Sequence, residues 1–296
     1  MASARHIAEY VGLRALAGLF QLLPLRAALA LAWALAAFVH HALRFRVAEA
    51  RRRLHEVFPD STATWRKRIA WQAWRNLIFT GVEVLRMPRV RREHLDAIYE
   101  SLAPFETVRA HLATGQGALV AVAHAGNWDL CSVSSQLLGL PTFALARPQK
   151  NALTDRYLNR MRGITGPPPV MNDSAMLKSV VRRLRGGEGM AILPDVRSRT
   201  PALSIHFLGG TANIAAGTAV FARLAKVPVF PTFLRRVGWT HHAIELGEPV
   251  WPDPSADRQE DETRIVQTVL AFHETWIRRY PEQYFWYNKR WVLDPL

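Results

Sequence analysis

The stretch "ALVAVAHAGNWDL", residues 118–130, decides how this chain folds. Six apolar residues, Ala118 to Ala123, follow Gly117 and stop at His124, the pattern of a short strand buried on both faces. Gly126 and Asn127 then turn the chain, and Trp128 opens a helical pattern. An imidazole therefore stands at a strand end, with a carboxylate, Asp129, in the first turn of the next helix. At that spacing Asp129 is in reach of the His124 ring. There it would fix the tautomer and leave the other nitrogen to take a proton from a hydroxyl. The competing interpretation is a packed histidine with Asp129 as a helix cap, and spacing alone does not separate the two.

Working outward, short apolar runs alternate with helical stretches. Strands are predicted at 118–123, 142–146, 190–193, 227–233 and 242–246, and helices at 128–138, 151–162, 174–185, 212–225 and 258–280. This alternation predicts an α/β fold, a mixed, mainly parallel sheet flanked by helices. In such sheets, sites collect at the carboxyl ends of strands. "RRVGWTHH" (235–242) reads as a hairpin turn with exposed charge, and "VVRRLRGGEG" (180–189) as a solvated basic helix face that would suit an acidic carrier protein.

Upstream, residues 45–86 are helical apart from a turn at "FPDST", where Ser61 or Thr62 caps the next helix. Residues 7–23 form a weakly amphipathic helix that Pro24 interrupts, and Ala27 to Val39 are 13 consecutive apolar residues. "RFRVAEARRR" follows, with five Arg in ten residues. A short apolar segment before a basic cluster predicts a retained membrane anchor or helical hairpin over residues 1–44. The remaining domain, 45–296, would then lie on the cytoplasmic face of that membrane.

The net charge is +14, and 33 of the 38 basic residues are Arg. Such a charge attracts nucleic acid, anionic membranes or acidic proteins without choosing among them. Cys131 is the only cysteine, which excludes an internal disulfide, and it reads as a small buried residue rather than a nucleophile. His206, His241 and His242 lack metal-ligand spacing, so no metal site is expected. No G-x-S-x-G is present, which argues against a serine acyl-enzyme.

Five ordered blocks carry a resemblance. "HAGNWD" resembles the H-x-x-x-x-D/E motif of glycerolipid acyltransferases, and more narrowly that of the late acyltransferases of lipid A biosynthesis and the related phosphatidylinositol mannoside acyltransferases. "ARPQKNALTDRYLNRMRG" (146–163), "GEGMAILPDVRS" (187–198), "HFLGGTANIAAGTAVFARLAKVPVFP" (206–231) and "YPEQYFWYNKRW" (280–291) resemble further blocks of that family, the last its P-E-Q-Y-x-W-x-x-x-R signature. The resemblance implies transfer of a fatty acyl chain from an acyl thioester, on acyl carrier protein or coenzyme A, to a hydroxyl of a membrane glycolipid such as a lipid A precursor. By match to the motifs, His124 would be the base and Asp129 its partner. Arg147 and Asp195 would contact substrate, and so would Asn127 and Gly126. Direct attack on a thioester also needs an oxyanion donor, and backbone N–H groups near Gly126 or in the "GGTAN" turn are the candidates. No cofactor and no nucleic-acid partner is implied. Where family members often carry D-H-D or a glutamate, this chain has Asp195-Val196-Arg197, which leaves the acceptor open. Two other classes remain: a basic membrane- or nucleic-acid-binding protein without catalysis, and a metal-dependent hydrolase using His124, Asp129 and Asp195.

Overall fold

A computed structural model of the chain describes residues 3–144, 149–161 and 174–295. The chain opens with Ala4–Leu22 (α1) and Leu25–Ala37 (α2), and the latter runs on through a π-helical turn, Phe38–Leu43. Val47–Val57 (α3) and Ala63–Arg86 (α4) follow, and Thr62 caps α4 by accepting from the Trp65 N–H. Short helices Leu95–Ile98 (α5) and Ala103–Leu112 (α6) lead into the alternating part. That part runs Ala118–Val122 (β1), Trp128–Leu137 (α7), Thr142–Ala144 (β2), Ala152–Met161 (α8), Ser174–Arg185 (α9), Gly189–Ile192 (β3), Leu203–Phe207 (β4), Gly210–Ile214 (β5), Gly217–Ala225 (α10), Val229–Val237 (β6), His241–Leu246 (β7) and Arg258–Arg279 (α11).

Five strands form one sheet in the order β2-β3-β1-β6-β7, parallel except for the β6–β7 hairpin. Because side chains alternate across a strand, β1 feeds two cores. Ala118 and Val122 pack with Phe230 and Leu234 against α5–α7, while Leu119 and Ala121 pack with Val229 and Phe233 toward α9–α11. The expected mixed, mainly parallel sheet between helical layers is therefore present. From β1 the chain first builds outward through β2 and β3 on one side and only later adds β6 on the other. This reversal of strand order opens a crevice beyond the carboxyl end of β1, where His124 stands.

Two expectations need correcting. Helix 212–225 begins late, because residues 210–214 are strand β5, paired antiparallel with β4. Leu208 and Gly209 both take positive φ (55° and 81°), the two-residue turn that matches strand twist. Ala212 and Ile214 are buried and Thr211 is exposed, a two-residue period rather than a helical one. The charge of 235–242 is also not all exposed: Arg236 and His242 are buried. Strand 142–146 is observed over 142–144, and 145–146 lie outside the described residues.

At the N-terminus, Ala28, Leu29, Ala32 and Ala36 of α2 pack on the long helix α4, and Arg86 and Arg89 donate to carbonyls at the end of α1. The opposite side is uncovered. Leu31, Trp33, Leu35, Phe38 and Leu43 are each more than 40% exposed, as are Ile7, Val11, Leu19 and Leu22 of α1. The stretch Leu25–Leu43 is long and apolar enough to cross a membrane, a test that buried helices and signal sequences also pass.

Candidate active site

The sheet register brings two side chains together that the sequence separates by 71 positions. Ala121 pairs with Ile192 on adjacent parallel strands, so three residues further along each chain His124 meets Asp195. The carboxylate holds both parts of the histidine: Oδ2 accepts the His124 backbone N–H at 2.8 Å and Oδ1 contacts ring Nδ1 at 2.7 Å. Asp195 has no exposed side-chain surface, while the His124 ring keeps 22%. Burial works to raise the Asp195 pKa, but the charge and hydrogen bonds of His124, helped by His273, outweigh it and hold it below the usual carboxyl value. An ionised Asp195 requires the proton on Nδ1, which in the neutral ring leaves the lone pair on Nε2. Neighbouring groups stay neutral. Burial lowers His273, whose Nε2 lies 3.0 Å from the Ala121 carbonyl. Burial and the Asp195 charge push the Tyr284 phenol well up.

This pairing corrects the expectation that Asp129 is the ring's partner. Asp129 does lie in the first turn of α7, half-buried, but the carboxylate on Nδ1 is the one that strand pairing delivers. Trp128 meets the imidazole edge-on, ring centroids 5.2 Å apart.

The loop that presents His124 is fixed from behind. Gly126 sits at φ 58°, and a Cβ there would lie 2.6 Å from the Leu234 carbonyl oxygen. Its N–H donates to the Gln283 carbonyl at 3.1 Å and its carbonyl accepts from the Thr80 hydroxyl at 3.0 Å. The Gly126 N–H itself is thus already engaged. Asn127, expected to touch substrate, is instead wholly buried. Its Oδ1 caps α7 through the Leu130 N–H, and its Nδ2 donates to Glu83 at 2.8 Å. Glu83 on α4 in turn receives both terminal nitrogens of Arg236 at 2.5 and 2.6 Å, with His242 at 3.4 Å. None of this was anticipated. Gly126→Ala should lose at least about 1–2 kcal/mol from the left-handed backbone alone, before the collision is relieved, and a denaturant titration would show it.

The C-terminal segment closes the loop's other side. Ala125 bridges Tyr284, and the Phe285 N–H donates to the His124 carbonyl at 3.0 Å. Trp286 and Trp291 are essentially unexposed, and buried Arg53 donates to the carbonyls of Trp286 and Asn288 at 2.6 Å while stacking over Trp291. The P-E-Q-Y block therefore braces the histidine loop.

His124 opens on a cavity of about 1110 Å³. Trp74, Leu77, Met176, Ile192, Phe221 and Phe285 give much of it an apolar wall. Its size suits a long aliphatic substrate. The Leu208–Gly209 turn of the "GGTAN" block is not part of this wall. Arg147 lies outside the described residues. Cys131 is buried and its thiol is pushed up to about 12 by burial, so it offers no thiolate. Among the described residues, no three His, Cys, Asp or Glu side chains gather as metal ligands.

A buried carboxylate–imidazole pair thus stands at the carboxyl edge of a parallel sheet and opens on a largely apolar cavity. The family can be stated as well: a profile of the bacterial lipid A biosynthesis acyltransferases matches residues 2–292, and the chain belongs to that family. It is similar to a phosphatidylinositol mannoside acyltransferase of Mycobacterium tuberculosis, 22% identical over 206 residues. That match covers 68% of this chain and only 65% of the relative's length. It is also similar to a lipid A biosynthesis palmitoleoyltransferase of Escherichia coli K12, 23% identical over 264 residues, covering 86% of this chain and 81% of the relative.

Proposed function

We propose that this protein is a membrane-associated O-acyltransferase. It moves a fatty acyl chain from an acyl thioester, on acyl carrier protein or coenzyme A, to a hydroxyl of a membrane glycolipid such as a lipid A precursor or a mannosylated phosphoinositide. The observation that carries this reading is His124, its Nδ1 held by Asp195 and its ring facing the apolar cavity. The acceptor hydroxyl gives its proton to Nε2 as its oxygen attacks the thioester carbonyl. The tetrahedral oxyanion then collapses, the C–S bond breaks, and the leaving thiolate takes the proton back from the imidazolium. Asp195 stabilises that cation and keeps the ring aligned. The apolar wall holds the acyl chain beside the base, so much of the rate comes from positioning.

Asp129 belongs to the same reaction by its match to the H-x-x-x-x-D motif, as a second carboxylate in the first turn of α7. Arg147 keeps its assignment as a substrate contact by the same match. The uncovered apolar sides of α1 and Leu25–Leu43 supply a surface for the lipid phase, and the exposed Arg44 beside them faces anionic headgroups. In this reading the catalytic part lies on the cytoplasmic side of the inner membrane.

The test is transfer of label from radiolabelled acyl thioesters, carrier-protein and coenzyme A forms in parallel, into a bacterial glycolipid extract. The wild type should make a labelled lipid, and His124→Ala should lose about 10²–10⁴ in rate. Label transfer at equal rates by both proteins would rule out His124 as the base.

A further inference from the structure

The cavity's polar end carries a feature that proton transfer does not use. Three cations line it, Arg46, Lys289 and Arg290, and among the described residues that line it there is no Asp or Glu. They are brought together by construction. Arg46 Nη2 donates to the Asn288 carbonyl at 3.1 Å, and Asn288 Oδ1 accepts the Arg290 N–H at 3.0 Å. Arg46 itself is held at φ 51°, a backbone conformation unusual for a long side chain. Its Nε is buried without a hydrogen-bond partner. Nearby arginines are treated differently: Arg52 pairs with Glu56 and Asp294, and Arg53 lies 3.9 Å from Asp294. Among the described residues, no carboxylate pairs with Arg46 or Lys289.

Gathering like charges on one wall is unfavourable unless an anion sits among them. Resting on the acyltransfer reading, we propose that Arg46, Lys289 and Arg290 form a phosphate subsite that receives the phosphate ester of a substrate whose reacting atom lies at His124. Guanidinium forks match phosphate oxygens in pairs, and Lys289 adds a mobile point charge. A free fatty acid would answer one of these charges, whereas a phosphate ester spreads its charge over several acceptor oxygens and engages all three. Either substrate could carry the group: a phosphopantetheine arm on the donor side, or a phosphorylated sugar on the acceptor side. The site sets which thioester or glycolipid aligns, and so acts on specificity rather than on the proton.

The experiment is equilibrium binding of radiolabelled ligands in detergent micelles, on a His124→Ala background so that nothing turns over. One pair is S-acyl-4′-phosphopantetheine and S-acyl-pantetheine. The other is a phosphorylated glucosamine glycolipid and its dephosphorylated form. One pair should show a preference for the phosphorylated member of about tenfold or more, and that pair identifies the source. Lys289→Ala and Arg46→Gln should each cut the preference to about threefold or less, leaving the neutral member's affinity unchanged, which also reports an intact cavity. Lys289 is exposed, so its variant tests the subsite even if Arg46→Gln fails to fold. Equal binding within both pairs, or a preference that survives the Lys289→Ala substitution, would overturn the proposal. Acyl transfer by His124→Ala at the wild-type rate, with the preference intact, would instead count against the catalytic reading.

Discussion

Asp195→Asn should fold normally and lose about 10⁴ in turnover, the scale seen when the orienting carboxylate of a catalytic histidine becomes an amide. The two groups have nearly the same shape, so packing changes little. What changes is the hydrogen-bond pattern. Asp195 accepts from the His124 backbone N–H and from ring Nδ1, and the Tyr284 phenol also hydrogen-bonds to it. An asparagine can accept with its oxygen but must donate with its nitrogen. If the oxygen keeps the backbone N–H, the NH₂ faces Nδ1 and favours the tautomer with its proton on Nε2. The base is then blocked, and any imidazolium that forms lacks its counter-charge. Rates at saturating donor measure this, with KM for the thioester little changed because Asp195 is not exposed to the cavity. A loss below about tenfold would mean that another group orients the ring.

The second large effect falls on stability. Glu83→Gln should cost about 3–5 kcal/mol, because it leaves Arg236 charged, buried and unpaired. The Arg236 side chain is 1% exposed and both terminal nitrogens end on Glu83. Burial works to raise the Glu83 pKa, but Arg236 and then His242 hold it well below the usual range. A depressed carboxyl contributes stability that is fully present above its unfolded-state pKa and is lost as pH falls toward the folded value. Strong acid should therefore weaken the wild type through this residue and spare Glu83→Gln that part of the loss. Replacing both partners, Glu83→Gln with Arg236→Met, should recover much of the deficit by removing the orphaned charge. Denaturant midpoints of the three proteins read this out. A single-variant cost under about 1 kcal/mol would mean that water reaches Arg236.

How much of this was legible in the sequence depends on whether the cause was local. The strand, turn and helix at 118–137 were readable because their signals lie within twenty residues, and the parallel sheet followed from alternation. The placement of His124 at a carboxyl edge came with them. The ring's partner was not readable from spacing: Asp129 is five positions away, whereas Asp195 arrives only through the register of β1 against β3. Its P-D motif marked it as a site residue without saying what it touches. The Glu83 cluster was hidden for a different reason. Glu83 lies between Val82 and Val84 in an amphipathic helix, and Arg236 sits in a run of charge at a hairpin. A strict two-residue count along β6 would have exposed Arg236, since Phe230, Thr232 and Leu234 on its face are all buried. The apolar helix at Leu25–Leu43 was visible from composition. That one side of it would lie on α4 was not, because nothing in its own residues names that partner.

The central claim is that Asp195 keeps the His124 proton on Nδ1 and leaves Nε2 bare toward the cavity. The most direct measurement is the ¹⁵N NMR spectrum of histidine-labelled protein in micelles, followed over pH so that the neutral ring is read, with the His124 resonances assigned by their absence from His124→Ala. The account predicts a protonated Nδ1 bonded to a carboxylate and an unprotonated Nε2, a pattern that Asp195→Asn should reverse. A His124 ring protonated on Nε2 in the wild type, or one indifferent to Asp195→Asn, would contradict it.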